Sequence, residues 1–376
     1  MPATTWSEAQ LDAMRTIGDP LADAVVADLF ASGQVSAVND LMRLLIDNDD
    51  VPSASLPSGI RDYLKQTEIL PAWTDAQRIR RGEQVFWQYG SVIVTCLFCY
   101  GLPACYAAAK GVQVLALTAR LHSNTTRRII ETAQMMVDVM RPGGLARGGK
   151  GIRSVQKVRL MHAAVRHLVG KHSNWNPEWG TPVNQEDMAG TLMAFSWIVV
   201  DGLRKLGYSL SDQDAEDFLY AWRVVGYLIG LRDEMLPADL KSAATLMRTI
   251  AARQYAACPE GQELTHDLMK MLQYHLPGNI FDPLPAALTR YLLGDAASDM
   301  LAIERHTLLS ALALPMRLIG LKTDAALDRS PALRQLSTIF SRKLIESIVL
   351  VGRGGTRVSF DLPNDLRQTW GVNWLG

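Results

Sequence analysis

The sequence predicts an all-α protein built as a single large helical domain. Apolar residues recur three and four positions apart along most of the 376 residues, which is the period of a helix with one buried face. Segments with the strict alternation of a half-buried strand are scarce. Hydrophobic residues make up 48% and charged residues 20% of the chain, an ordinary globular balance with enough apolar surface for an extended core.

The individual helices follow from periodicity, caps and helix breakers. The main separators are a Pro/Ser loop at 51–59, a glycine-rich connection at 141–151 and an irregular loop at 174–182. Cap-like tetrapeptides begin at Thr74 and Asn184. We expect residues 1–60 to form an N-terminal helical segment packed on a main domain of residues 61–376. The predicted helices cover 7–30, 35–47, 74–89, 91–100, 104–119, 123–140, 153–170, 185–206, 211–230, 237–256, 259–275, 283–293 and 297–318.

One segment without any charge, residues 86–109, is long enough to cross a bilayer. Gly90, Gly101 and Pro103 interrupt its apolar character, and polar side chains dilute it. We therefore interpret it as two buried helices with a break at Gly101-Leu102-Pro103. No stable membrane span is expected.

Charge and cysteine content narrow the function classes. Lysine plus arginine and aspartate plus glutamate both total 38, so the chain lacks the basic excess of a general nucleic-acid surface, and no nucleic-acid partner is expected. The N-terminal residues carry no basic and apolar signal pattern, and four cysteines are too few for a disulfide framework. These features favour a cytoplasmic location. Cys96 and Cys99 form a CxxC pair without a second one, so we interpret them as buried thiols rather than a redox or zinc pair.

The most informative candidate is a histidine on an apolar helix face. His162 lies on a stripe of valines at spacings of three, four and seven residues, formed by Val155, Val158, Val165 and Val169. Arg159 and Arg166 flank it by about one turn on either side. Two guanidinium groups favour a neutral imidazole, the form that ligates metals, and they also suit an anionic group such as a haem propionate. A satisfied core histidine with two surface-reaching arginines explains the same pattern equally well.

A second candidate lies on the preceding helix. Arg128, Glu131 and Thr132 share one face at spacings of three and four residues. Taken alone, this pattern favours an intrahelical Arg128–Glu131 pair on a solvated face.

Taken together, these segments resemble the latex clearing protein family of rubber oxygenases and the related oxygenase domain of the mycophenolate pathway. The similarity runs from about Tyr89 to Leu293, and the Arg128-to-His162 separation is similar to that of the family. It is carried by Tyr100-Gly101-Leu102-Pro103-Ala104-Cys105-Tyr106-Ala107, Arg128-x-x-x-Thr132, Arg159-x-x-His162-x-x-x-Arg166 and Pro182-Val183-Asn184-Gln185-Glu186-Asp187-Met188-Ala189-Gly190-Thr191.

The resemblance implies globin-like helical packing around a pocket for non-covalent haem b. His162 would be the proximal ligand of the iron. Arg128 and Thr132 would line or support the pocket, and Arg159 and Arg166 would hold the propionates or support the site. Residues 61–376 would then be a haem-binding oxygenase domain that uses dioxygen on an apolar, unsaturated substrate.

Two departures from the family pattern bear on the chemistry. The rubber oxygenases carry a lysine directly before the threonine, where this chain has Glu131. The proposed catalytic glutamate of the family also has no counterpart near Val112 and Gln113. Glu131 is therefore predicted either to accept or donate a proton, with Arg128 and Thr132 beside it, or simply to pair with Arg128. The alternative function is a haem-binding sensor or carrier, or a helical protein without catalysis.

Overall fold

The computed structural model describes residues 6–36, 56–121, 125–170, 175–274 and 282–305, with 321–323, 325, 329–330 and 338; the side chains at 119–128 and 130 lie outside this description. Its longer helices are α1 (Glu8–Arg15), α2 (Pro20–Ala31), α3 (Ser58–Thr67), α4 (Ala76–Gln88), α5 (Gly90–Cys96), α6 (Leu102–Ala107), α7 (Val112–Leu121), α8 (Thr125–Met140), α9 (Lys150–Val169), α10 (Gln185–Phe195), α11 (Trp197–Lys205), α12 (Asp212–Leu228), α13 (Leu240–Gln254), α14 (Pro259–Tyr274), α15 (Leu284–Leu293) and α16 (Asp295–Met300). Within these residues the β structure is one isolated bridge between Ala108 and Tyr255. The predicted all-α class is confirmed.

Three predicted helices are each divided into two, and the third, predicted over 104–119, adjoins the uncharged segment described next. The helix predicted over 7–30 ends at Arg15 and begins again at Pro20, because proline is accepted in the first turn and the Asp19 carboxylate caps the new helix at the Ala22 amide. The helix predicted over 185–206 is divided at Ser196, whose backbone is not helical. The prediction for 35–47 falls almost entirely outside the described residues. The helix predicted over 297–318 ends at Met300, and its part beyond residue 305 lies outside the described residues.

The predicted break at Gly101-Leu102-Pro103 is wrong. The chain stays helical from α5 to α6 through a π-helical turn, Leu97–Gly101. Pro103 occupies the start of α6, where a missing amide hydrogen costs least, and the wider turn precedes it. The helix predicted over 104–119 is instead interrupted after Ala107 and resumes as α7.

The uncharged segment is largely enclosed by protein. Gly90–Ala107 is the one helix in the described residues that is long and apolar enough to cross a membrane, and 61% of this window is buried. This burial supports the interpretation as core helices.

Two apolar clusters meet at α9. The larger is centred on α12, whose Trp222 is fully buried and stacks on Phe195. The smaller lies under α2 and α3 and includes Leu160, Ala163 and Ala164 of α9. Helix α9 is therefore covered on two sides, and it carries the candidate histidine. The division of the chain at residue 60 stays a prediction.

Candidate functional site

The valine stripe around His162 has the predicted environment. All four valines are buried, and they divide between two neighbouring clusters. Val155 and Val158 belong to the main core, whereas Val165 and Val169 pack with Val114 of α7. His162 therefore lies on α9 at the junction of two apolar clusters.

The His162 ring is held neutral by its surroundings. The ring is half-buried, and its Nδ1 atom is enclosed without a hydrogen-bond partner. Burial lowers the pKa of His162 to about 4, and the positive charge of Arg166 lowers it further, while Asp19 acts in the opposite direction. A neutral imidazole with an uncommitted nitrogen is chemically competent to bind a metal.

Arg159 is fully engaged with protein groups. Its Nε and Nη2 donate to the two carboxylate oxygens of Asp19, at 2.5 and 2.9 Å, and its Nη1 donates to the Leu228 carbonyl oxygen at 3.1 Å. This bidentate pair ties α9 to the start of α2. Gly230 makes room for it, because a Cβ there would lie 2.5 Å from Asp19 Oδ2.

Arg166 is engaged less completely. Its Nε donates to Asp23 Oδ1 at 2.6 Å and its Nη1 donates to the Val183 carbonyl oxygen at 3.1 Å. Its Nη2 is buried without a partner. The two arginines that look alike in the sequence thus differ: Arg159 has no uncommitted nitrogen, and Arg166 has one.

The second candidate face runs beside α9. Helices α8 and α9 form a hairpin in which Ser154 donates to the buried Asp138 carboxylate at 2.5 Å. Glu131 precedes Asp138 by seven residues, and His162 follows Ser154 by eight, which places them about 10 and 12 Å along their helices from this contact. Glu131 and Thr132 are half-buried and lie at the level of His162, while the side chain of Arg128 lies outside the described residues.

Sequence reasoning missed the role of the segment that begins at Asn184. Asn184 caps α10 as predicted, accepting from the Asp187 amide at 2.9 Å. The next two side chains are buried. Gln185 donates to the carbonyl oxygens of Gly18 and Gly230 at 2.8 and 3.0 Å. The segment thus holds the α1–α2 turn, from which Asp19 reaches Arg159.

Glu186 is fully buried and holds α1 against α13. Its carboxylate accepts from Arg15 at 3.1 Å, from Arg253 at 2.9 Å and from Gln254 at 3.0 Å. Asp187 accepts from Arg15 at 2.9 Å. Only the concentration of polar residues in an otherwise apolar helix start signalled this cluster, and its partners lie more than 60 residues away.

The cysteines behave as core residues. Cys96 and Cys99 are buried, and burial raises the pKa of both thiols, that of Cys99 to about 12. All four cysteines are free of disulfides. In the described part of the chain there is also no group of three or more His, Cys, Asp or Glu side chains that could hold a metal ion.

A cleft of about 400 Å³ is lined in part by the Arg159–Asp19 pair. The α1–α2 turn, the end of α3 and the segment after α12 form its walls, including Ile17, Ile69 and Leu231. Its size is that of a small-molecule site, and its charged lining includes Arg159 and Asp19, which pair with each other.

The comparisons with known proteins identify the class. Residues 87–320 match the family described as the catalytic domain of ER-bound oxygenase mpaB/B' and rubber oxygenase. This match covers more than half of the chain, and the chain belongs to this oxygenase family.

Two individual proteins are similar over nearly the whole chain. A rubber oxygenase from Streptomyces sp. (strain K30) is 26% identical over 373 residues, which is 96% of this chain and 91% of that protein. The structure of latex clearing protein LCP in the closed state matches with a TM-score of 0.78 and 26% identity, covering 93% of this chain and 94% of that one. The predicted family is confirmed.

Proposed function

We propose that this protein is a haem b-dependent oxygenase that uses dioxygen to cleave or oxygenate an apolar, unsaturated substrate of small or medium size. The observation that carries the proposal is the neutral, half-buried imidazole of His162, which lies on the buried valine stripe of α9. One strong axial donor in an apolar surrounding is what a non-covalent haem requires.

His162 would hold the iron, and the bound haem would supply the centre at which dioxygen is activated. Of the two roles open to the flanking arginines, support of the site fits Arg159, because all three of its nitrogens are already bonded. Arg166 retains one uncommitted nitrogen and fits either role. Arg128 and Thr132 are proposed to line the pocket from α8.

Glu131 is the proposed proton-transfer residue. It stands where the rubber oxygenases have a lysine, and its level on α8 matches that of His162 on α9. A carboxylate there can accept or donate a proton, whereas a lysine at this position can approach the iron as a ligand. The apolar clusters on both sides would exclude bulk water from the reacting atoms.

The name rubber oxygenase indicates an isoprenoid olefin as the substrate of that relative. For this chain we propose the same substrate class, an apolar olefin, without requiring the polymer. We also propose a reducing compartment, the cytoplasm, in keeping with four cysteines that form no disulfide.

Haem binding is tested by the optical spectrum of the full-length protein expressed with haem precursors. We expect a Soret band and a pyridine-haemochrome spectrum of haem b, both lost in His162→Ala. The matched control is His167→Ala on the same helix, where the imidazole stacks on Phe30 at 4.5 Å. Retention of the band in His162→Ala, or its equal loss in both variants, would refute the ligand assignment.

Catalysis is tested by oxygen consumption with a linear terpene olefin. We expect uptake by the haem-loaded protein, and Glu131→Ala is expected to retain the Soret band but to change turnover by about 10²-fold or more, the usual range for a general acid or base. A haem-loaded protein that consumes no oxygen with such olefins would instead indicate a sensor or carrier.

A further inference from the structure

Two buried nitrogen atoms on α9 lack hydrogen-bond partners. They are Nδ1 of His162 and Nη2 of Arg166, four residues further along. Residues four apart on a helix are neighbours, with Cβ atoms about 5–6 Å apart. An unpaired buried polar group costs about 1–3 kcal/mol, so two of them side by side point to a shared partner.

The guanidinium of Arg166 has little freedom to turn elsewhere. Its Nε and Nη1 are fixed by Asp23 and by the Val183 carbonyl, and a Cβ at Gly18 would lie 2.7 Å from its Cδ. Val183 has a φ of 51°, which is a strained conformation for a β-branched residue. The backbone at Val183 is thus held in an unfavourable conformation that aims its carbonyl oxygen at Arg166.

We propose that a single hydrogen-bond acceptor of water size, a water molecule or a halide ion, binds between Arg166 Nη2 and His162 Nδ1. Arg166 Nη2 must donate to it, because a guanidinium has no acceptor, and in the proposed arrangement the Nδ1–H of the neutral imidazole donates to it as well. The imidazole proton then resides on Nδ1, and the Nε2 lone pair is left for a ligand. Arg166 is by this argument a positioning residue for His162.

The importance of this site for catalysis rests on the proposed function, but its existence does not. Second partners of a ligating histidine fix its tautomer and the direction of its lone pair. Arg159 cannot serve in this way, because each of its nitrogens already donates to Asp19 or to Leu228. The two arginines therefore offer a matched comparison within one helix.

The test is ¹⁵N NMR of histidine-labelled, full-length protein without haem, because a bound iron would itself fix the tautomer. We expect the wild type to carry its His162 proton on Nδ1. Loss of one hydrogen bond in Arg166→Lys or Arg166→Met should lower the Nδ1–H to Nε2–H ratio by about fivefold or more. Arg159→Lys should leave the ratio unchanged.

Water and halide are distinguished by measuring the Nδ1–H to Nε2–H ratio before and after chloride is removed and added back. A ratio that follows chloride identifies a halide, and a constant ratio identifies water; either result supports the site. A wild-type proton on Nε2 would overturn the proposal, because Nδ1 would then be an acceptor and could not donate to the bound water or halide. Equal ratios in the wild type and in both folded Arg166 variants would also overturn it.

If circular dichroism shows that the haem-free protein does not fold, a second measurement on the haem-loaded protein replaces the NMR test. In the ferrous haem-loaded protein, the iron–histidine stretching frequency should fall in Arg166→Met and stay at the wild-type value in Arg159→Lys; equal values would overturn the proposal. A protein that shows the Nδ1–H tautomer but binds no haem would refute the proposed function and leave this inference standing.

Discussion

The two halves of the helix that carries His162 are held in different ways. At its start, α9 is fixed by backbone contacts with the α8 turn, where the Gly151 amide donates to the Gly144 carbonyl at 2.9 Å. From its middle onward it is fixed by side chains: Gln156 donates to Leu64 and Thr67 of α3, and Arg159 and Arg166 pair with Asp19 and Asp23. The start of the helix is held by a neighbour in sequence, and the rest by residues about 90 to 140 positions away.

The two kinds of contact differ in how much movement of α9 they allow. Backbone contacts between glycines leave no space for a side chain and allow one packing distance. Ion pairs can lengthen, break or take up water, at a cost that depends on burial. The helix is thus anchored at the hairpin, and the packing of its later part depends on side-chain contacts with Asp19 and Asp23.

The largest effect is expected at the anchored end. In Gly151→Ala the new Cβ would lie 2.6 Å from the Gly144 carbonyl oxygen and 2.7 Å from Val139 Cα, both of them backbone atoms. The helices must separate, and we expect a loss of about 4 kcal/mol or more of unfolding free energy, measured by urea denaturation.

The control for this substitution is Gly59→Ala. Its Cβ would meet nothing within 4 Å, and the position is helical. We expect a gain of about 0.5–1 kcal/mol. If the two alanine variants proved equally stable, the tight hairpin would not be an anchor.

The next prediction tests the stabilisation provided by buried ion pairs. Glu186→Ala leaves the buried Arg253 and Gln254 without their shared acceptor and removes one of the partners of Arg15. We expect a loss of about 3–5 kcal/mol by thermal or urea unfolding. Glu234→Ala, which removes an exposed pair with Arg232, should cost less than about 1 kcal/mol. Similar costs for both would mean that burial of Glu186 has no energetic weight.

Contacts between residues near in sequence could be predicted, whereas contacts between distant residues could not. Helical periodicity located α8 and α9, and the glycine-rich stretch was correctly predicted as the connection between them. The four valines that share the helix face of His162 are buried, as the stripe predicted. Asp19 and Asp23 could not be predicted as partners of Arg159 and Arg166, because pairing across 140 residues leaves no local pattern. The helix through Pro103 was missed because a π turn has no signal in the spacing of apolar residues.

The unfolding free energy is expected to depend on pH through a carboxyl group at the turn between α8 and α9. Glu83 on α4 is buried, its Oε2 accepts from the Gly143 amide at 3.3 Å, and its Oε1 has no partner. Burial raises the pKa of Glu83 from 4.5 to about 7, although the Gly143 amide and Arg80 act against this. The folded state therefore holds the proton more tightly than the unfolded state. The protonated Glu83 carboxyl therefore contributes its full share of the folding stability below pH 4.5. This contribution is lost as the pH rises through 7, because the carboxyl ionises in the folded state.

Glu83→Gln should remove this dependence, since the amide is neutral at every pH. Between pH 5 and pH 8 the wild type should lose about 2–3 kcal/mol more than the variant, measured by urea unfolding at both values. Parallel stability profiles for the two proteins would show that Glu83 ionises in the folded state as it does in the unfolded chain.

The smallest effect concerns Val183, which links the adjustable half to α10. Its φ of 51° penalises every residue that has a Cβ, and glycine escapes the penalty. We therefore expect Val183→Gly to be more stable than Val183→Ala by about 1 kcal/mol, the reverse of the usual order. At Val165, inside α9, the usual order should hold, with alanine about 1 kcal/mol more stable than glycine. The unfolding free energies of the four variants, measured by urea denaturation, test this prediction. If the alanine variant is more stable than the glycine variant at both positions, the Val183 carbonyl reaches Arg166 without backbone strain.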